Sequence, residues 1–243
     1  AMAIQSEQPE VGGELGDAPP DSRSAANLLR AAGRDHLHQL ARLPGLVGET
    51  VAGIARVRRR ARERGVQPDL ARNFAPPQTF LNHVVSPGRR FATAPLALDD
   101  VKQTAKHLGV TLNDIVLATA AGALRELQLR YDGAADSPLI AGVPVSYNPS
   151  PHRLMGNEFT YMTPSLPVHI ADPLERVQLT ATATAIAKEN HRLLGPTLLP
   201  SWLTYLPPAT TPSVFRTQAR RLESAMVMNL TISNVPGPRE RGF

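Results

Sequence analysis

The apolar positions of this chain change their period several times, and each change marks an element. Between residues 22 and 66 they recur at helical spacing, in two pieces divided by Pro44 and Gly45. Leu37, Leu40 and Ala41 form a short stripe in the first piece, and Val47, Val51, Ile54 and Ala55 continue one in the second. A helix with a single apolar stripe needs a surface to lie on. The domain that follows, polypeptide outside this chain and a membrane interface are the three choices, with docking inside the protein the default. Residues 66–80, with Pro68, Pro76 and Pro77, read as an extended connector.

From Phe80 onward the pattern alternates between β and α. Arg90 to Leu96 is predicted to be a strand. Asp99 and Asp100 open a short helix that carries Val101, Ala105 and Leu108 on one face, with Gly109 just past its end. Thr111 and Asp114 fit a capping box for the next helix, which is predicted to run to about Arg130. Its small residues, Ala118, Ala120, Ala121, Gly122 and Ala123, allow another element to come close. Leu139 to Ser146 has the pattern of a buried strand, and Phe159 to Val168 that of another, bent near Pro164. Asp172-Pro173-Leu174-Glu175 supplies an N-cap, a proline at the first helical position and an early acid, so a long helix is expected from there to Gly195.

A Pro-rich segment around Trp202, Tyr205, Pro207 and Pro208 precedes a helix expected from about Ser213 to Glu223. The last strand alternates cleanly. Met226, Met228, Leu230 and Ile232 point one way, and Val227, Asn229, Thr231 and Ser233 the other. A polar strand face that runs into Asn234-Val235-Pro236-Gly237-Pro238 suits either a solvent-facing sheet or the wall of a site, and alternation alone does not choose between them.

Composition narrows the function classes. With 243 residues and 42% hydrophobic content, the chain can bury one sizeable core, or one domain plus a linker. The absence of cysteine excludes disulfides, thiolate nucleophiles and thiolate metal sites, and is compatible with a reducing cytoplasm. No stretch approaches the roughly 18 apolar residues that a membrane span needs, and the acidic start does not resemble a signal peptide. The opening Ala1-Met2-Ala3 reads as a vector-derived start, so the natural polypeptide is expected to begin earlier.

The net charge of +5 conceals an asymmetry. Residues 1–21 carry Glu7, Glu10, Glu14, Asp17 and Asp21 without a basic residue, which predicts a disordered acidic linker. Arg56, Arg58, Arg59, Arg60, Arg62 and Arg64 then crowd together, opposed only by Glu63. Such a cluster is either a solvated helix face or a site for anionic lipid, phosphorylated cofactor or nucleic acid. Nucleic acid is not expected, because no aromatic residues interleave the arginines and no finger, RNA-recognition or helix-turn-helix pattern accompanies them.

Several short segments together carry a family resemblance. Phe80-Leu81-Asn82, Ser86-Pro87, Arg89-Arg90-Phe91, Leu98-Asp99-Asp100-Val101-Lys102, Asn113-Asp114-Ile115-Val116-Leu117-Ala118 and Gly122-Ala123-Leu124-Arg125 come first. Pro144-Val145-Ser146, Gly156-Asn157, Leu166-Pro167, Asp172-Pro173-Leu174-Glu175-Arg176 and Ser233-Asn234-Val235-Pro236-Gly237-Pro238 follow in order. Any one of these is weak, but the ordered set resembles the C-terminal half of the bacterial wax ester synthase/diacylglycerol acyltransferases, over roughly residues 22 to 243. The resemblance implies an α/β fold of the coenzyme A-dependent acyltransferase type, related to chloramphenicol acetyltransferase and to peptide-synthetase condensation domains. In that fold a mixed sheet is flanked by helices and the reaction channel runs between two halves. The implied organisation is an acidic linker at 1–21, a helical crossover and connector at 22–79, and an acyltransferase-like domain at 80–243 that is incomplete at its C-terminus.

The chain departs from the family in one respect that matters chemically. The catalytic His-His-x-x-x-Asp-Gly motif is absent. Acyl transfer from a thioester to an alcohol needs a base for the hydroxyl proton and donors for the oxyanion, and the resemblance assigns the base to the second His of that motif. None of the seven histidines here stands in a recognisable nucleophile pattern. His36, His38, His83, His107, His152, His169 and His191 are expected at surfaces, turns or helix ends. His36 and His38 are too closely spaced to share a helix face, so no metal site is expected.

No catalytic residue is therefore expected within this chain. The resemblance instead implies that Asn113 and Asp114 support the channel or site wall, and Ser233 and Asn234 are expected to do the same because they end a strand whose polar face needs an explanation. The competing reading of Asn113 and Asp114 is that they build the helix start. Arg56, Arg58, Arg59, Arg60, Arg62 and Arg64 would contact coenzyme A phosphates or anionic lipid. Acyl-CoA is expected as substrate with no permanently bound cofactor, and diacylglycerol or a long-chain alcohol as acceptor. The N-terminal half of the same enzyme is the expected partner, and the cytoplasmic face of a membrane or a lipid body the expected location. The alternative is a non-catalytic acyltransferase-like module that binds lipid or a partner. A condensation-domain relative is a weaker third reading.

Overall fold

Proline in a helix interior removes one N–H donor and crowds the carbonyl four residues back. In the computed structural model, helix α1 nevertheless spans Ala25–Arg64 with Pro44 inside it, which corrects the expectation of two separate helices. The structure describes residues 25–72, 75–82, 87–146, 159–205, 212–213, 216 and 227–235. The acidic linker, the Gly156-Asn157 turn, Pro236-Gly237-Pro238 and most of the helix expected from Ser213 to Glu223 lie outside the described residues. The chain divides into two compact units, residues 1–44 with 235–243, and Gly45–Asn234.

The second unit holds the mixed sheet and its helices. Helix α2 (Leu98–Leu108) ends where Gly109 adopts φ 67° and donates its N–H to the carbonyls of Ala105 and Lys106. A left-handed residue closes a helix this way, and glycine does so without the Cβ penalty. Helix α3 (Leu112–Tyr131) begins with the predicted capping box. Strand β1 (Leu139–Ser146) is the centre of the sheet, and its first five residues are buried. Strands β2 (Phe159–Met162) and β3 (Ser165–Leu166) pair antiparallel with it, Val143 opposite Met162 and Leu139 opposite Leu166. The two share one register along β1. The Ala141 N–H reaches the Pro164 carbonyl across the gap, so the interruption lies where proline has no N–H to give.

Helix α4 (Pro173–Leu194) starts from an Asp172 N-cap, whose carboxylate accepts the Glu175 N–H. A short helix, α5 (Leu198–Leu203), follows inside the Pro-rich segment, where the sequence pattern predicts none. Strand β4 (Leu230–Thr231) then pairs parallel with β1, with Leu230 opposite Ala141. The sheet is therefore mixed, as the resemblance implied.

The core lies between one face of this sheet and helices α3 and α4. Leu117, Ala121 and Leu124 from α3 meet Leu139, Ala141 and Val143 from β1, Met162 from β2, Leu166 and Val168 around β3, and Ala187 from α4. Leu230 and Ile232 pack against this cluster, on the apolar side that the alternation assigns to them. Two expectations need correction. Residues 87–97 contain no strand and are exposed throughout, Phe91 by 93%. A strand forms only with a partner, and this segment pairs with none of the described strands. The last strand is also shorter than predicted, because the Asn229 side chain occupies the β1 backbone where another ladder bond would form.

Candidate functional site

Thr111, Asn113 and Asp114 sit at the start of α3, where the helix leaves backbone N–H groups without partners. The Thr111 hydroxyl accepts the Asp114 N–H at 3.3 Å, and Asp114 Oδ2 accepts the Thr111 N–H at 2.9 Å and its hydroxyl at 2.6 Å. The second oxygen, Oδ1, accepts the hydroxyl of Thr184 on α4 at 2.5 Å. Asp114 is buried. Burial pushes its pKa up, but the hydrogen bonds from Thr111 and Thr184, aided by the charge of Lys188, outweigh this and leave it below the usual carboxylate value. Both oxygens of an ionised carboxylate are thus occupied. Asp114 holds α3 to α4 and leaves the half-buried Asn113 on the same first turn.

Arg125 fixes the direction of α3. Its guanidinium donates to the Val168 and His169 carbonyls, both at 3.0 Å, just past β3 and so beside the amino end of β1. The start of α3 lies toward the other end, the carboxyl end of β1. Because β4 runs parallel to β1, Ser233 and Asn234 emerge at that same end of the sheet, and both are exposed. The fold thus brings Asn113 and the Ser233-Asn234 pair to one end of the sheet, while Asp114 is turned inward toward α4.

The arginine cluster separates into two groups. Arg60 and Arg64 converge on Glu189 of α4, at 2.6 and 2.5 Å, and Arg56 donates to the Leu193 carbonyl at 3.1 Å. The two arginines hold the Glu189 carboxyl below its usual pKa. Arg59 makes only a 3.9 Å approach to Glu63, and Arg58 and Arg62 are exposed without an ion pair among the described residues. Arg56, Arg60 and Arg64 therefore dock α1, and Arg58, Arg59 and Arg62 remain facing solvent.

Three anchors carry no signal that sequence reasoning uses. Asn229 accepts the Ile140 N–H and donates to the Pro77 carbonyl and to Asn82 Oδ1, each at 2.8 Å. Strand alternation assigns it only to a polar side, yet it is buried. Glu189 collects two arginines, and Trp202 donates its indole N–H to Thr50 at 3.0 Å. His169 lies in a turn and His191 in the last turn of α4, as expected, but both are half-buried. Burial lowers both pKa values, and His169 Nδ1 and His191 Nε2 are buried without a hydrogen-bond partner. Among the described residues, no cluster of His, Asp or Glu could hold a metal ion, and no single helix is long and apolar enough to cross a membrane.

Comparison with known proteins gives a consistent result. Residues 2–116 match the family model described as the wax ester synthase/diacylglycerol acyltransferase catalytic domain, and residues 155–242 match its C-terminal domain. A putative diacylglycerol O-acyltransferase of Mycobacterium tuberculosis is 52% identical over 96% of this chain and 49% of its own length. The O-acyltransferase WSD of Acinetobacter baylyi is 34% identical over 72% of this chain and 38% of its own length. The structure of a wax ester synthase/diacylglycerol acyltransferase from Marinobacter aquaeolei VT8 superimposes with a TM-score of 0.52 and 26% identity, covering 67% of this chain and 36% of that one. The chain spans about half the length of the Mycobacterium relative it matches.

Proposed function

This chain belongs to the wax ester synthase/diacylglycerol acyltransferase family, and we propose that it is the C-terminal part of an acyl-CoA-dependent O-acyltransferase. The observation that carries this reading is a mismatch. The chain is similar to an O-acyltransferase over almost all of its own length, yet it contains no His-His-x-x-x-Asp-Gly motif.

The reaction joins the acyl group of acyl-CoA to the hydroxyl of diacylglycerol or a long-chain alcohol. The hydroxyl oxygen attacks the thioester carbonyl as a base removes its proton. The tetrahedral oxyanion collapses, the C–S bond breaks, and the coenzyme A thiolate leaves and takes up the proton. In this reading the base is supplied by a polypeptide segment that carries the missing motif. The present chain contributes the channel wall at the carboxyl end of β1 and β4, with Asn113, Ser233 and Asn234 facing substrate and Asp114 holding the first turn of α3. The assembled enzyme works at the cytoplasmic face of a membrane or on a lipid body, where its water-insoluble acceptor resides, and needs no permanently bound cofactor.

The test is transfer of the acyl group from palmitoyl-CoA to diacylglycerol. This chain is assayed alone and after combination with a polypeptide carrying the His-His-x-x-x-Asp-Gly segment of the same protein. Activity only in the combined sample is expected. Activity of this chain alone sinks the assignment of the base to another segment. Inactivity of a folded, associated pair favours the reading as a non-catalytic lipid- or partner-binding module.

A further inference from the structure

Helix α1 leaves an apolar stripe exposed beside the side by which it packs on the domain. Within residues 45–64, the docked side presents Leu46, Thr50, Gly53, Val57, Arg60 and Arg64 to its surroundings. Gly53 is tight enough that a Cβ there would lie 2.9 Å from the Leu194 carbonyl oxygen. The apolar stripe lies roughly a third of a turn around the helix from that side. Val47, Val51 and Ile54 are 44%, 63% and 39% exposed. This stripe does not dock the helix onto the following domain; Leu46, Thr50, Gly53 and Val57, two salt bridges to Glu189 and a backbone contact from Arg56 hold the helix there instead. A soluble helix ordinarily turns its apolar stripe to the core.

What the stripe leads into identifies its partner. Val47, Val51, Ile54, Arg58 and Arg62 recur at i, i+4, i+7, i+11 and i+15, so the apolar residues and the two unpaired arginines form one line about 22 Å long. Arg59 flanks it. The acids of this stretch, Glu49 and Glu63, fall on the other side of the helix, and Glu63 is engaged with Arg59 and Arg60. A face with β-branched aliphatic residues, unpaired arginines and no acid is complementary to an apolar layer bounded by negative headgroups. The aliphatic residues enter the acyl boundary, and the arginines stay at the phosphates.

We propose that the Val47–Val51–Ile54–Arg58–Arg62 face of α1 is the surface through which the protein lies on anionic lipid. This rests on the lipid-surface part of the function proposed above and names the residues that make the contact. Because α1 is pinned to α4 by Glu189, binding through this face would hold the sheet at a fixed orientation to the lipid.

The experiment is flotation of the 243-residue chain with vesicles of phosphatidylcholine, alone or mixed with phosphatidylglycerol. Binding is expected only to the anionic vesicles, weakened by salt. R58Q/R62Q should lower the partition about ten- to thirty-fold, and Val51→Asp about ten-fold or more. K106Q, which changes an exposed basic residue on α2, should leave it unchanged. Circular dichroism establishes that each variant is folded. Absence of binding by the folded chain overturns the proposal, as does equal loss from K106Q. It is also overturned if Val51→Asp leaves flotation intact but blocks association with the motif-bearing polypeptide, because the face is then a protein interface. Acyl transfer to an acceptor dispersed in detergent does not depend on this face, so failure here leaves the catalytic reading to its own assay.

Discussion

Thr184 on α4 donates its hydroxyl to Asp114 Oδ1 at the first turn of α3, 2.5 Å away and shielded from solvent. The bond joins the two helices that cover the sheet, and it is charge-assisted because the carboxylate stays ionised. Thr184→Val keeps the shape but leaves a buried carboxylate oxygen without a donor, at an expected cost of about 1–3 kcal/mol. Asp114→Ala removes this tie and the capping box together, and should cost about 2–3 kcal/mol. Chemical denaturation of the two single variants and the double variant checks this. The pair should couple by about 1 kcal/mol or more, whereas strict additivity would mean that the contact contributes nothing.

The titration of buried groups predicts two pH windows. His169 and His191 have folded pKa values lowered by burial, so the unfolded chain takes up protons first as pH falls below about 6.5. Stability should decline from there until pH passes the lower folded values. Asp114 also has a lowered pKa, and its contribution is fully present above the unfolded value of about 3.9 and lost as pH falls through the folded one. Urea midpoints measured against pH should show the first decline in the wild type and a flatter profile in H169Q/H191Q. D114N should flatten only the acidic limb. An unchanged first decline in the double histidine variant would remove these rings as its source.

Two glycines of α1 should respond to the same change with opposite signs. A methyl group on Gly48 would meet open space, with nothing within 4 Å, whereas a Cβ on Gly53 meets the Leu194 backbone. Gly48→Ala should stabilise by about 0.5–1 kcal/mol, because alanine loses less backbone freedom in a helix. Gly53→Ala should destabilise by about 1–3 kcal/mol, since neither backbone can yield without moving α1 from α4. Thermal melts resolve the difference, at about 2–4 °C per kcal/mol for a chain of this size. Equal shifts would show that α1 does not approach α4 this closely in solution.

Glu189 is the acid on which Arg60 and Arg64 converge. Glu189→Gln removes the charge but not the side chain, and should loosen the C-terminal end of α1. Trypsin, which cuts after arginine, should then cleave between Arg56 and Arg64 faster than in the wild type. High salt should bring the wild type toward the variant, because both ion pairs are partly exposed. Cleavage at the same rate in both would mean that the pairs do not hold the helix.

Where local chemistry decides the structure, the sequence foretells it. The Thr111/Asp114 box, the Asp172-Pro173 start, Gly109 and the bend at Pro164 each depend on residues adjacent in the chain, and each appears as predicted. Long-range pairing is not readable in the same way. Arg90 to Leu96 has the pattern of a strand but pairs with none of the described strands, and the alternation of Met226 to Ser233 does not reveal how few residues pair with β1. The α1 stripe is readable, but its orientation is not. Orientation depends on Glu189, more than a hundred residues away, and helical period carries no information about which side a distant carboxylate will hold. At the candidate site, resemblance selects Asn113 and Asp114 and the polar face of the last strand selects Ser233 and Asn234, while the inward turn of Asp114 follows from a threonine on another helix.

Asn229 offers the sharpest separation of strand pattern from tertiary role. Its side chain takes the Ile140 N–H, reaches the Pro77 carbonyl and meets Asn82, so one amide joins the connector after α1 to the central strand. Asn229→Asp keeps an acceptor for Ile140 but has no N–H for Pro77 or Asn82, and it buries a charge. Asn229→Ala leaves the Ile140 donor unsatisfied. We expect about 2–3 kcal/mol of destabilisation for alanine and more for aspartate at neutral pH, with the aspartate variant recovering as its carboxyl protonates. Amide exchange at Ile140 should accelerate in the alanine variant beyond what global unfolding accounts for. If exchange there merely follows global stability, the Asn229 side chain is not what protects that N–H.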